Sequence, residues 1–143
     1  MLFLRKPGKP GEPIWLHCVN DLQERNANTY KITLPLPDMD GILRQVSRVK
    51  YHSVIDLQNT FEQIWIDPRD VKNSAMATPD GPMLSEVLQQ GDCNAPATFQ
   101  TVMNDLFASY LGCFVDIYLD DVMVYSNNLE DHIKHVKLVI DIL

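Results

Sequence analysis

The chain has 143 residues, of which 45% are hydrophobic and 22% charged, material for one ordinary core. Its formal net charge of −7 argues at first sight against a nucleic-acid partner, because neutralising phosphates takes Lys and Arg. The charge is unevenly placed, however: Met1 to His52 carries eight Lys or Arg against five Asp or Glu, whereas Ser53 to Leu143 carries four against fourteen. A basic entrance therefore precedes an acidic centre, and any nucleic-acid binding should be weak and salt-sensitive. Cys18, Cys93 and Cys113 are odd in number and lack CxxC spacing, so neither a disulfide framework nor a zinc site is indicated. Reduced thiols point to an intracellular compartment, cytoplasm or nucleus. No apolar run is long enough to span a membrane, and Arg5 and Lys6 interrupt Met1-Leu2-Phe3-Leu4, so no signal peptide and no membrane partner are expected.

In chain order, Leu2 to Lys6 and Trp15 to Val19 read as short strands around the Pro- and Gly-rich link Pro7 to Pro13. Asp21 to Asn28 is polar and suits one irregular turn of helix. Asp38 or Asp40 is placed to cap a helix reaching about Val49, with Ile42, Leu43, Val46 and Val49 inward. Tyr51 to Asp56 is strand-like and ends on an acid, and Leu57 to Gln63 is compatible with helix. Pro68 to Lys72 makes a turn, and Ser74 to Thr78 is expected to pair with Met83 to Leu88 across Pro79-Asp80-Gly81-Pro82. Asn94 is the expected cap of the longest helix, Ala95 to Tyr110, whose core face is Phe99, Val102, Met103, Leu106 and Tyr110 and which Gly112 ends. Cys113 to Ile117 and Val122 to Ser126 read as the arms of a hairpin. Leu129 to Leu143 forms an amphipathic helix capped by Asn127 or Asn128, burying Ile133, Val136, Ile140 and Leu143. His132 and His135 have no ligand set at zinc spacing around them and are assigned to surface or packing roles. The order of elements argues for an α+β domain: an antiparallel sheet of the Asp56 strand and the hairpin, backed by two helices.

The tip of that hairpin is Tyr118-Leu119-Asp120-Asp121, two adjacent carboxylates in an apolar setting. Crowded carboxylates repel and raise each other's pKa unless a cation neutralises them. Read by itself the pair fits a metal site and a solvated Asp-Asp turn equally well. Asp56 supplies a third acid at a strand end, where it fits a ligand of Mg²⁺ or, alone, a simple capping residue. If the two strands are neighbours, the three acids are expected to converge as two-metal phosphoryl transfer requires.

The runs Ser53 to Leu57, Gln90 to Gln100 and Tyr118 to Asp121, in this order and spacing, resemble the reverse transcriptase of gypsy-type LTR retrotransposons from about Phe3 to Leu143. The stretch Gly91-Asp92-Cys93-Asn94 is most like fungal members. The resemblance implies a reverse-transcriptase-type palm and partial fingers, with fingers at about 1–50 and 65–94, palm at about 51–64 and 95–143, and the thumb absent. It implies metal binding by Asp56 and Asp120, with Asp121 as the second, less direct acid, and Mg²⁺ as cofactor, Mn²⁺ being able to replace it. Phe61 matches the ring that excludes a ribose 2′-hydroxyl, while its residue type alone fits ordinary core as well. Gln90 matches the position that contacts the incoming nucleotide, Gly91 permits close backbone approach there, and Tyr118 matches a primer or template support. Lys6 matches the fingers lysine that meets the γ-phosphate, or Arg5 if the register slips by one.

Implied partners are an RNA or DNA template with its primer, dNTPs, and the rest of a polyprotein bearing thumb and RNase H. Two departures stand out. Leu16 and Gln23 occupy positions where the family carries arginines, so the triphosphate clamp is weakened while the metal acids are kept. The implied activity is RNA-directed DNA polymerisation; the alternative is a catalytically inactive truncated remnant with weak nucleic-acid or metal binding. A nucleotidyl cyclase-like enzyme is disfavoured by the Gln90 to Gln100 block.

Overall fold

A computed structural model of the chain describes residues 2–5, 16–35, 37–78 and 81–143, with the backbone alone for 2–5 and 16–19. The link at 7–13, Lys6 and Trp15 lie outside the described residues. In chain order the elements are β1 (Leu2–Arg5), β2 (Leu16–Val19), α1 (Gln23–Ala27), α2 (Met39–Val46), β3 (Tyr51–Asp56), β4 (Met76–Thr78), β5 (Gly81–Met83), α3 (Ala95–Leu106), β6 (Val115–Tyr118), β7 (Asp121–Ser126) and α4 (Leu129–Ile142). Short 3-10 turns occupy Phe61–Gln63 and Val71–Ser74. Two compact units result, one of Met1–Ile32 and Phe61–Ala95, the other of Thr33–Thr60 and Pro96–Leu143. Among the described residues no helix is long and apolar enough to cross a membrane.

In the first unit β1 and β2 pair antiparallel, Leu2 opposite Val19 and Arg5 opposite Leu16. A second ribbon pairs β4 with β5, Met76 opposite Met83 and Thr78 opposite Gly81. The expected partnership of Ser74–Thr78 with all of Met83–Leu88 is thus too long. Beyond Met83 the chain turns to a different partner: Ile66 N–H donates to the Glu86 carbonyl at 2.8 Å and Leu88 N–H to the Ile64 carbonyl at 2.8 Å. The buried Ser74 hydroxyl makes the switch, donating to the Ser85 carbonyl at 2.7 Å and accepting the Ser85 N–H at 2.7 Å. No helix forms over Leu57–Gln63. Asn59 takes the left-handed φ of 53°, which interrupts a right-handed helix, and only the 3-10 turn at Phe61 follows. Asn94 directly precedes α3, and its side chain accepts the Ile32 N–H at 2.9 Å and donates to the Tyr30 carbonyl at 2.8 Å.

The second unit holds a three-stranded antiparallel sheet in the order β3-β7-β6. Ser53 sits opposite Val124 and Ile55 opposite Val122, while Val115 pairs with Val124 and Ile117 with Val122. Opposed residues share a face, so these side chains form one apolar layer. Val115, Ile117, Val122 and Val124 are fully buried in it, with Phe107 and Val139. α4 lies on this face, tied by the Ser53 hydroxyl at 2.9 Å from His132 Nε2 and the Ser126 hydroxyl at 2.8 Å from His135 Nδ1. The Phe114 ring stacks on His135 at 4.0 Å.

Three helix faces differ from the sequence expectation. α4, not α3, is the longest helix, at 14 residues against 12. Asn128 caps it, accepting the Asp131 N–H at 2.9 Å. Its buried residues are His132 and Val139, whereas Ile133, Ile140 and Leu143 are exposed. The stripe is rotated by one residue because the Ser53 and Ser126 hydroxyls satisfy the imidazoles, which makes His132 a better core residue than its polarity suggests. α3 ends at Leu106 rather than Tyr110 and buries Phe99, Gln100 and Met103, with Val102 and Leu106 outside. α2 stops at Val46 and buries Ile42 while Leu43 is exposed. Its orientation is set one turn on by Gln45, whose amide donates to the Tyr125 hydroxyl at 2.5 Å and the Gly112 carbonyl at 3.0 Å.

Burial first, then the neighbouring His135 and His52, hold His132 below the usual imidazole value of 6.5. A folded pKa below the unfolded one means that the unfolded chain binds more protons in the interval between them. Stability is therefore full above pH 6.5 and falls as pH drops through that interval toward the folded value. Urea midpoints measured from pH 7.5 to 5 should decline on the acid side, and His132→Gln should flatten the decline; an unchanged slope would remove His132 as its cause.

Candidate active site

β3 ends on Asp56 and β7 begins on Asp121, and the register sets these two acids directly opposite one another. On the other side of β7, Asp121 is paired with Tyr118, the last residue of β6. All three emerge on one face of the sheet, opposite to the face that carries Ser53, Val124 and α4. Leu119 and Asp120 are the two loop residues of the β6–β7 hairpin. Leu119 has φ 52° and Asp120 does not have a positive φ, the pattern of a type II′ turn, in which the first loop position is normally Gly. The Leu57 N–H donates to the Asp120 carbonyl at 3.0 Å, so the exit of β3 is pinned to the turn.

Gln100 fixes the turn from behind. This fully buried side chain accepts the Leu119 N–H at 2.8 Å and donates to the Ile117 carbonyl at 3.2 Å and to Asn104 Oδ1 at 2.9 Å. Sequence reasoning gave Gln100 no role, although a Gln in phase with Met103 and Phe107 on an apolar helix face is a signal that a backbone group needs a partner there. Leu119→Gly should relieve the left-handed strain and offset the extra freedom of Gly in the unfolded chain, for a net gain below about 1 kcal/mol. Urea unfolding measures it, and a net loss would mean that the half-buried Leu119 side chain contributes more by packing than its backbone costs.

Asp56 and Asp120 are exposed, and Asp121 and Tyr118 half-buried. Among the described residues no group of three His, Cys, Asp or Glu side chains is placed to hold a metal ion unaided. The sheet end supplies a row of carboxylates rather than the fully converged trio expected from the sequence. That donor set still suits Mg²⁺, a hard cation that takes one or two carboxylates and completes its octahedron with water and phosphate oxygens.

Two residues before Tyr118 on the same face, Asp116 accepts the Gly112 N–H at 3.2 Å through Oδ1, and the Tyr125 hydroxyl lies against its carboxylate. Burial raises its carboxyl above the ordinary 3.8. Burial, and next the Asp116 charge, push the Tyr125 hydroxyl well above 10.

The remaining sequence candidates lie in the first unit, except Lys6, which is outside the described residues. Phe61 is half-buried in its 3-10 turn. Gln90 and Gly91 are exposed on the turn before Asp92, with Gly91 at φ 97°, a conformation other residues rarely adopt. Leu16 lies on β2, and Gln23 opens α1 with its N–H on the Asp21 carboxylate at 3.1 Å.

The sequence profile described as "Reverse transcriptase (RNA-dependent DNA polymerase)" matches residues 16–143. The chain belongs to the reverse transcriptase family. Within it, the chain is 32% identical over 136 residues to the retrovirus-related Pol polyprotein of the Drosophila melanogaster transposon opus, covering 95% of this chain and 14% of that protein. It is 34% identical over 114 residues to an RNA-directed DNA polymerase homolog of Oenothera berteroana, covering 78% of this chain and 80% of that one. The Pol polyprotein of the gypsy transposon also matches. Among solved structures, the foamy viral protease-reverse transcriptase in complex with double-stranded DNA superposes with a TM-score of 0.81 at 27% identity, over 97% of this chain and 24% of that one. This reverse transcriptase chain therefore spans about one-seventh of the opus polyprotein and a quarter of the foamy viral chain.

Proposed function

We propose that the chain is the fingers and palm portion of a retrotransposon RNA-directed DNA polymerase, working within a longer Pol polyprotein in an intracellular compartment. Fingers would comprise about 1–50 and 65–94, and palm about 51–64 and 95–143. The observation that supports this most is the register that sets Asp56 opposite Asp121 beside the Asp120 turn, at the end of a sheet whose family membership is established. Asp56 and Asp120 would hold Mg²⁺ or Mn²⁺, with Asp121 the adjoining acid. Bound there, a divalent ion supplies acidification of a primer 3′-hydroxyl and charge neutralisation on a triphosphate.

The protein's own residues do the positioning. The Gln100-anchored turn holds Asp120 at the sheet end, and Tyr118, paired with Asp121, would support a primer or template strand. Phe61 would exclude the 2′-hydroxyl of a ribonucleotide, and Gln90 and Gly91 would line the dNTP site with Lys6 at the triphosphate. Template would be RNA or DNA, in keeping with a foamy viral relative solved with an RNA/DNA hybrid.

Leu16 and Gln23 lack the guanidinium that would steady developing phosphate charge, and the net charge of −7 gives little counterion-release affinity. Isolated, the chain should therefore show no processive extension of a labelled primer on an RNA template. Joined to its thumb it should extend in Mg²⁺ and stop with EDTA. Robust extension by the isolated chain would overturn the assigned cost of the two substitutions, and no metal-dependent incorporation by the joined form would overturn the polymerase reading.

A further inference from the structure

Two adjacent residues of α1 grip the turn that carries Gln90 and Gly91. Arg25 reaches its two ends: Nη2 donates to Asp92 Oδ2 at 2.6 Å and Nη1 to Gln89 Oε1 at 3.3 Å. Asn26 takes the backbone on either side of Asp92, its Nδ2 donating to the Gly91 carbonyl at 2.8 Å and its Oδ1 accepting the Cys93 N–H at 3.0 Å. Asp92 is thus held through both its side chain and its flanking peptides, and its other carboxylate oxygen accepts the Asn94 N–H at 3.1 Å. Gln89 is buried while Gln90, between the gripped residues, is exposed.

This is more fixation than an exposed turn needs for the fold alone. A turn with one glycine at positive φ is soft on its own, and a backbone bond from Asp92 N–H to the Gln89 carbonyl at 3.2 Å closes it. The Arg25–Asp92 pair is charge-assisted and mostly shielded, with the side chains 23% and 21% exposed, so it is better protected from solvent than a surface ion pair. Holding Arg25 this way also commits its guanidinium: it is engaged by Asp92 and Gln89 and does not replace the arginines missing at Leu16 and Gln23.

We propose that Arg25 and Asn26 are positioning residues for the incoming nucleotide, acting through the Gln90-Gly91 turn rather than by contact with substrate. The inference rests on the reading of Gln90 and Gly91 as part of the dNTP site. Loosening the turn lets its exposed backbone sample orientations that cannot receive the nucleotide, which weakens dNTP binding while leaving the acids at the distant hairpin in sequence, Asp120 and Asp121, unaltered.

The test is single-nucleotide incorporation, with Mg²⁺ and a primer on an RNA template, by the full-length polymerase containing this chain. Asn26→Ala and Arg25→Ala should each raise the KM for dNTP about tenfold with kcat changed less than about threefold, and Arg25→Lys should fall between Arg25→Ala and the parent. Mg²⁺-dNTP affinity on a dideoxy-terminated primer should fall by the same factor, a readout that requires no chemistry. Thermal midpoints are recorded beside both. A lowered kcat with unchanged KM and dNTP affinity, tracking a lowered thermal midpoint, would reduce the clamp to a fold-stabilising role and overturn the proposal while leaving the polymerase reading intact. A parent polymerase that neither incorporates nor binds Mg²⁺-dNTP, with Asp120→Asn no different from it, would overturn the polymerase reading and the clamp's role with it.

Discussion

Asp56→Asn and Asp120→Asn should each lower single-nucleotide incorporation by at least about a thousandfold in the full-length polymerase, with primer-template affinity nearly unchanged. Asn keeps the shape of Asp but loses its negative charge, so it cannot neutralise a divalent cation or hold it against the phosphates. The effect should fall on kcat because the carboxylates matter most as charge develops in the transition state. Asp121→Asn should do less. Asp121 is the half-buried first residue of β7, paired on both sides in the ladder, whereas Asp120 occupies the loop and is exposed. Rapid-quench assays on the three variants provide the ranking. Equal and mild losses would mean that the row of acids is a solvated turn.

Replacing Gln100 with Ala should cost about 2–4 kcal/mol of folding stability, a large share of the roughly 5–15 kcal/mol available to a domain. The loss has two sources. Leu119 N–H and the Ile117 carbonyl lose their partner, and a cavity opens where a fully buried side chain stood. Because the Leu119 N–H belongs to a left-handed residue in the turn, the same change should loosen the Asp120 loop and reduce activity more than stability alone explains. Gln100→Glu separates the two effects. It still accepts from Leu119 N–H but sets a carboxylate oxygen against the Ile117 carbonyl, so it should destabilise strongly through a buried charge. Urea unfolding of both variants gives the magnitudes, and losses below about 1 kcal/mol would show that the turn is held by the hairpin ladder without help from α3.

Much of this architecture is legible in the residues themselves. β-Branched and aromatic runs mark β3, β6 and β7, and Asn127 or Asn128 marks the start of α4, the structure choosing Asn128. The three acids stand out by their motifs, and the register sets two of them, Asp56 and Asp121, opposite one another across the ladder. What escaped were features decided by tertiary partners. Helical periodicity puts the inner stripe of α4 on aliphatic residues, whereas His132 is buried because Ser53 and Ser126, both outside the helix, offer hydrogen bonds. The β4 partner changed at Ser85 for a similar reason, a single buried hydroxyl of Ser74. Gln100, Arg25 and Asn26 were silent because their targets are backbone atoms and loop side chains 17 to 67 residues away. Local periodicity carries no information about such partners.

Whether the end of β3 and β7 binds a divalent ion is measured by the paramagnetic broadening that substoichiometric Mn²⁺ causes in amide NMR spectra of the chain. Resonances of Asp56, Leu57, Asp120 and Asp121 should broaden first, Mg²⁺ should compete the effect away, and Asp120→Asn should abolish it. Broadening centred instead on another acidic stretch such as Asp67 to Asp70, or spread evenly over the acidic surface and indifferent to Asp120→Asn, would contradict the assignment of this sheet end as the metal site.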